Sequence, residues 1–226
     1  LQNNTGIAVS AGHVCITNSA NRTSKTYCFG GDMMGQLGNG GNLCFRPDPR
    51  VCPDKRLASP VLGNLALSQL ASGSGFTCGT TALDDLYCWG SSRKNALGSL
   101  GSATAPTAFE GLPSYFNSDI LAVGDDHVCV YEDGVNDGEL YCWGDNEEGQ
   151  TGLNNDNSTI SSPGEVGGLG RIIRLSAGYS HTCLINPDRT VICFGANNHG
   201  QHGLGEPGNS SASNRSPVLG LGFIAQ

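Results

Sequence analysis

The feature that most limits this chain is a spacing that occurs four times. A cysteine is followed ten or thirteen residues later by a second cysteine, then an aromatic residue and glycine, and a further glycine stands ten residues beyond that second cysteine. The cysteine pairs are Cys15 and Cys28, Cys78 and Cys88, Cys129 and Cys142, and Cys183 and Cys193; the closing glycines are Gly38, Gly98, Gly152 and Gly203. Self-similarity at this period is the mark of a repeat architecture, in which each unit is one small supersecondary element that must stack on its neighbours. Around the cysteines the units read S-A-G-H-V-C, T-Y-C-F-G and G-Q-L-G in the first, F-T-C, L-Y-C-W-G and N-A-L-G in the second, V-G-D-D-H-V-C, L-Y-C-W-G and G-Q-T-G in the third, and S-A-G-Y-S-H-T-C, V-I-C-F-G and G-Q-H-G in the fourth.

Each unit reads as a β-hairpin. A short strand runs through the first cysteine, turns in a polar loop such as Leu83-Asp84-Asp85 or Asn186-Pro187-Asp188-Arg189, and returns through the second cysteine and its ring. Cysteines placed symmetrically about such a turn face each other within disulfide reach. The aromatic residue beside the second cysteine then points to the opposite face, free to pack on a neighbouring unit. The two cysteine gaps imply hairpin loops of two lengths. Every unit also carries a proline after a small residue, at Pro60, Pro106, Pro163 and Pro217. Composition agrees: with 34 Gly, 10 Pro and 14% charged residues, the chain is poor material for long helices and suits short strands joined by tight turns.

The cysteines also bear on compartment. No C-x-x-C occurs among the ten, which argues against zinc or thioredoxin-like chemistry, and paired structural disulfides persist in oxidising surroundings. Five N-x-[ST] sequons, at Asn3, Asn21, Asn157, Asn209 and Asn214, lie in polar sequence and are expected to carry N-glycans. An extracellular location, secreted or at the cell surface, is the expectation. The net charge of −8, with no basic run, disfavours nucleic acid and anionic membrane as partners, and no apolar stretch approaches the length needed for direct membrane insertion. The chain opens without an initiator Met or a signal peptide, which reads as a processed chain or a fragment.

These residues resemble the repeat of the RCC1 family, whose signature is a G-x-x-H-[ST] strand, a strand ending in [WF]-G, and N-x-x-G-Q-L-G. The form with cysteines after the His and before the W-G is similar to extracellular relatives such as Crinkly4-type ectodomains and secreted bacterial repeat proteins. The resemblance implies an all-β fold, an RCC1-type β-propeller or partial propeller of four disulfide-stapled blades. The expected units run about 7–60, 61–106, 107–163 and 164–217, with 218–226 starting a further repeat or closing the ring. Since family propellers usually have seven blades, four repeats read as a partial ring. Residues 39–59 interrupt the period and hold Cys44 and Cys52, expected to close a local loop.

Other residues invite chemistry and are better explained without it. His13, His127 and His181 each stand two before a first cysteine, with Phe76 in the fourth place, so a repeated packing role is expected. His199 and His202 form H-x-x-H, read as exposed turn substitutions rather than metal ligands. Acidic clusters at Asp125-Asp126, residues 132–139 and residues 145–148 lack the alternating calcium-loop pattern and read as solvated loop charge. No P-loop, G-x-S-x-G or H-E-x-x-H is present, so neither catalytic residues, metal nor cofactor is expected and a hydrolase is the weakest reading. The expected function is a non-catalytic extracellular scaffold for protein–protein interaction or structural assembly, the alternatives being a self-associating filament or cell-wall component and a secreted enzyme-inhibiting propeller.

Overall fold

The computed structural model describes residues 3–20, 23–41, 55–113, 120–134, 138–153, 157–205 and 217–221. It is a four-bladed β-propeller chain. Blade 1 contains β1 (Asn3–Val9), β2 (His13–Ala20), β3 (Thr23–Gly30) and β4 (Lys55–Pro60). Blade 2 contains β5 (Leu67–Ser72), β6 (Phe76–Thr81), β7 (Leu86–Gly90) and β8 (Ala103–Ala108). Blade 3 contains β9 (Ile120–Val123), β10 (His127–Glu132), β11 (Glu139–Asp145) and β12 (Thr159–Glu165). Blade 4 contains β13 (Arg174–Ala177), β14 (His181–Ile185) and β15 (Val191–Gly195), with Pro217 bridged to Ile192 where the other blades have a fourth strand. Every sheet is a meander in chain order.

The strand register puts the cysteines directly opposite one another: Cys15 pairs with Cys28, Cys78 with Cys88, Cys129 with Cys142 and Cys183 with Cys193. The extra three residues of the first unit lengthen its strands instead of its loop, since pairing there continues to Ala20–Thr23 but in blade 2 stops at Thr80–Leu86. The four prolines are not equivalent. Pro60 and Pro217 lie opposite the residue before the second cysteine, whereas Ala108 and Glu165 take that place in blades 2 and 3, two positions past Pro106 and Pro163.

Alternation along β2, β6, β10 and β14 gives each blade two faces. The rear face carries the disulfide and the residue two before the first cysteine. The front face carries the residue one before it and the ring of the W-G or F-G pair. Blades stack rear to front, and the three hydrophobic cores lie at the three junctions. Trp89 of blade 2 packs with Cys15, Cys28 and Leu37 of blade 1. Trp143 of blade 3 packs with Phe76, Cys78, Cys88 and Leu97 of blade 2 and stacks on Phe109, ring centroids 4.6 Å apart. Phe194 of blade 4 packs with Cys129, Tyr131 and Cys142 of blade 3. Each blade is too thin to have a core of its own, so each acquires one only by being covered.

Two glycines per unit make this packing possible. Gly30, Gly90, Gly144 and Gly195 all adopt φ between +102° and +112°, and a Cβ there would meet a main-chain carbonyl of the preceding turn at 2.4–2.5 Å. Gly38 and Gly152 seat the next blade's ring: a Cβ would lie 2.7 Å from Trp89 and 2.8 Å from Phe194. The turn before that glycine is tied by side chains. Asp32, Ser92, Asn146 and Asn197 each accept a main-chain N–H five residues on, at 2.9–3.3 Å.

Candidate functional site

The first strands β1, β5, β9 and β13 pack against one another in sequence and line the axis. The turns that leave them, centred on Ser10-Ala11, Gly73-Ser74, Gly124-Asp125 and Gly178-Tyr179, meet at one end around a concavity of about 280 Å³. Equivalent main-chain bonds fix the register: the N–H groups of Ser10, Gly73, Gly124 and Gly178 donate to the carbonyls of His13, Phe76, His127 and His181. The turns are also tied to each other, Ser74 N–H donating to the Asp125 carbonyl at 2.9 Å and Asp125 N–H to the Tyr179 carbonyl at 3.3 Å. Such closeness excludes side chains: a Cβ on Gly73 or Gly124 would stand 2.6 Å from a carbonyl of the next blade's turn. The look-alike S-A-G triplets of the first and fourth units therefore fall two positions out of register, Ser10 being the structural counterpart of Gly178.

The mouth is polar and its floor is main chain. Asp125 stands within it beside Ser74, its carboxyl pushed above the usual range chiefly by burial. Asp126 behind it is buried and raised for the same reason, with Arg93 3.9 Å away opposing the shift. Tyr179, 74% exposed, stands at the rim. The acidic clusters are thus more than solvated loop charge. Arg93 and Lys94 of blade 2 reach across to Asp126, Asp145 and Glu147 of blade 3, and Glu132 is buried.

One serine–histidine pair borders this mouth. Ser10 Oγ lies 2.7 Å from His13 Nδ1, and His13 Nε2 lies 2.7 Å from Thr77 Oγ1. Thr77 passes its own proton to the Gln36 carbonyl at 3.3 Å, so Nε2 carries the hydrogen and Nδ1 accepts from Ser10. Burial lowers the His13 pKa to about 4, and its far nitrogen faces a hydroxyl where a triad would place a carboxylate. That imidazole is a weak base, and its geometry is that of a joint between blades. His127 repeats the joint, with Nε2 2.8 Å from Thr182 Oγ1 and a pKa lowered by burial to about 3. Sequence reasoning identified the histidines but not their threonine partners, which are signalled only by Thr standing before a first cysteine one unit later.

Of the remaining expected residues, Cys15–Cys28, Cys78–Cys88, Cys129–Cys142 and Cys183–Cys193 are disulfides. Cys44 and Cys52 lie outside the described residues, as do Asn21, Asn209 and Asn214. Asn3 begins β1, and Asn157 is exposed in the loop before β12. His202 corrects an expectation: it is 1% exposed, in the core position that Leu37 holds in blade 1, while His199 is exposed. The imidazole occupies the turn position nearest the sheet, so it is packed inward. Among the described residues, no three His, Cys, Asp or Glu side chains cluster in a way that could hold a metal ion, and no helix is long and apolar enough to cross a membrane.

Stapled blades, junction cores and an axial mouth define a β-propeller chain whose mouth is built from turns. The particular repeat is identified by comparison. The family model for the Regulator of chromosome condensation (RCC1) repeat matches residues 137–185, and a second model of that description matches 120–150 and 172–201, on blades 3 and 4. Blades 3 and 4 therefore carry RCC1 repeats, in a cysteine-containing form. It is 29% identical to the ultraviolet-B receptor UVR8 of Arabidopsis thaliana over 204 residues, 88% of this chain and 43% of that protein. Among solved structures it superposes on yeast RCC1 (Prp20), bound there to Kap60, with a TM-score of 0.80 at 17% identity, covering 98% of this chain and 50% of that one. It also matches the ectodomain of the receptor kinase CR4 from Physcomitrella patens with a TM-score of 0.50 at 21% identity, over 87% of this chain and 43% of that one. The chain spans less than half the length of the curated relatives it matches.

Proposed function

We propose that this chain is an extracellular, N-glycosylated scaffold that binds a protein partner at the axial mouth and performs no catalysis. The observation that carries the reading is the convergence of four structurally equivalent turns on one concave polar surface, where positions such as Asp125 and Tyr179 carry side chains and the glycines hold the frame. Main-chain groups, Asp125 and Tyr179 offer hydrogen bonding and one exposed aromatic ring, the composition of a protein-binding surface. Four disulfides among the described residues and five sequons support an oxidising, glycosylating compartment.

A photo-crosslinking residue at Tyr179 tests the mouth against the same residue at Leu83, which is exposed on the hairpin loop of blade 2. The chain is secreted from cells, and covalent adducts are compared. Adducts at position 179 that Asp125→Arg abolishes support the reading. Equal labelling from position 83 contradicts it. A mass shift on glycosidase treatment, mapped to Asn157, tests the compartment.

A further inference from the structure

The axial mouth offers a ligand mostly acceptors. Six main-chain N–H groups of its turns are already engaged. Those of Ser10, Gly73, Gly124 and Gly178 bond to carbonyls of their own blades, and those of Ser74 and Asp125 to the turn of the next blade. The Ser10 hydroxyl is held by His13 Nδ1, and the Ser74 side chain donates to the Asp125 carboxyl. What faces the space is carbonyl oxygen, each with a second lone pair, together with hydroxyl oxygen and the Asp125 carboxylate. No lysine, arginine or histidine lines the mouth among the described residues.

A further acceptor lies against Gly124 at the floor. His127 Nε2–H donates to Thr182, whose own proton goes to the Gln150 carbonyl, so His127 Nδ1 carries a bare lone pair. That nitrogen is buried and has no hydrogen-bond partner. In blade 1 the same nitrogen meets the Ser10 hydroxyl at 2.7 Å; in blade 3 the counterpart of Ser10 is Gly124, where a Cβ would stand 2.4 Å from it. Charge points the same way. Asp125 is half-buried between the turns of blades 2 and 4, Asp126 behind it is buried, and burial raises both carboxyls above the usual range. A carboxylate drawn partly out of water gains from a counter-charge that water no longer supplies. Two cations face the pair from blade 2. Arg93 stands 3.9 Å from Asp126, and Lys94 is held by Asp145 and Glu147; neither enters the mouth.

Resting on the reading that the mouth binds a protein, we propose that it receives a basic side chain of that partner, whose cationic head sits on the Asp125 carboxylate and donates to the surrounding carbonyls. A concavity of about 280 Å³ is too small for a helix, about 10–12 Å across with its side chains, so a single side chain is what enters. The several donors of a guanidinium match a wall made of acceptors. Arg93 is the chain's own competitor for this charge and sets how tightly the incoming cation is held.

Blocked amino acids test this by NMR titration of the folded, disulfide-intact chain at low salt. N-acetyl-arginine amide is expected to shift the amides of Ser74, Gly124 and Asp125 saturably. N-acetyl-norvaline amide, which keeps the stem without the charge, should need a concentration at least about tenfold higher. N-acetyl-glutamate amide should shift none of the three. Asp125→Asn is expected to weaken arginine binding about tenfold, and Arg93→Gln to tighten it about threefold. Norvaline binding as tightly as arginine, glutamate binding in its place, no saturable shift with arginine, or an affinity that Asp125→Asn leaves unchanged would each overturn the proposal. Cross-linking at Tyr179 keeps the two readings apart. Adducts there without arginine binding leave the mouth a protein-binding surface and overturn the cation seat. Arginine binding without adducts supports the seat and overturns the mouth as a protein-binding surface.

Discussion

The front faces of blades 1 and 3 are made of nearly the same residues and sit in opposite surroundings. Blade 3 turns Leu121, Val128, Val130 and Trp143 into the core it shares with blade 2. Blade 1 shows Ile7, Val14, Ile16 and Phe29 in the matching register with no blade before them among the described residues. Strand pairing, staple and positive-φ glycines are alike in the two. In a propeller the sequence of a unit therefore sets its shape, while its neighbour sets how much stability its side chains contribute. A residue's worth is a property of the junction.

The largest test of that contrast is truncation of the ring. Trp143→Ala removes a fully buried side chain and its bond to the Ala96 carbonyl, and is expected to cost about 3–5 kcal/mol in denaturant unfolding. Phe29→Ala, at the matching place in blade 1, is expected to cost about 1 kcal/mol or less. Equal losses would mean that both faces are covered in solution.

Next in size are the staples. Replacing Cys129 and Cys142 together by Ala opens a loop of 13 residues and is expected to lower stability by about 2–3 kcal/mol. The same change at Cys183 and Cys193, a bond that none of the three junction cores among the described residues includes, should cost less. Thermal melts of the two double variants measure the gap.

Below these comes the hydroxyl. Thr182→Val strands the His127 Nε2–H in a dry junction and is expected to cost about 1–3 kcal/mol. Acid sharpens the same point. Burial holds the folded-state pKa values of His13 and His127 near 4 and 3, below the ordinary value of 6.5. The unfolded chain thus binds protons first, so the stability these neutral imidazoles retain above pH 6.5 is lost as pH falls toward 4 and then 3. The loss is about 1.4 kcal/mol per pH unit for each group at most. The difference between the native chain and His127→Phe/Thr182→Val isolates it from carboxylate titration; a flat difference between pH 6.5 and 4 would contradict the buried joint. Smallest of all, Lys94→Ala removes exposed, solvent-screened ion pairs to Asp145 and Glu147 and is expected to leave the melting temperature unchanged.

Much of the fold is legible because the repeat is written in residues with few alternatives. Paired cysteines need facing positions, W-G needs a glycine that can adopt φ above zero, and the ring must leave the disulfide face. What could not be read is contact between units. The threonines at 77 and 182 look like ordinary strand residues until the preceding blade's imidazole is seen against them. Likewise the S-A-G triplets of blades 1 and 4 invite an alignment that the main-chain bonds of Ser10 and Gly178 reject. His202 reads as a loop polar residue and is buried in a turn, because the Asn197 side chain accepts its N–H and draws the turn onto the sheet.

The amino-acid sequence by itself determined four stapled hairpins, their register and their two-faced character, since these follow from spacing along one strand pair. Only the tertiary structure decided which face meets which, that polar positions pair with polar ones across a junction, and that four turns converge on one mouth. Those facts depend on groups tens of residues apart along the chain. The desolvation that enforces them acts only once one blade has closed over another.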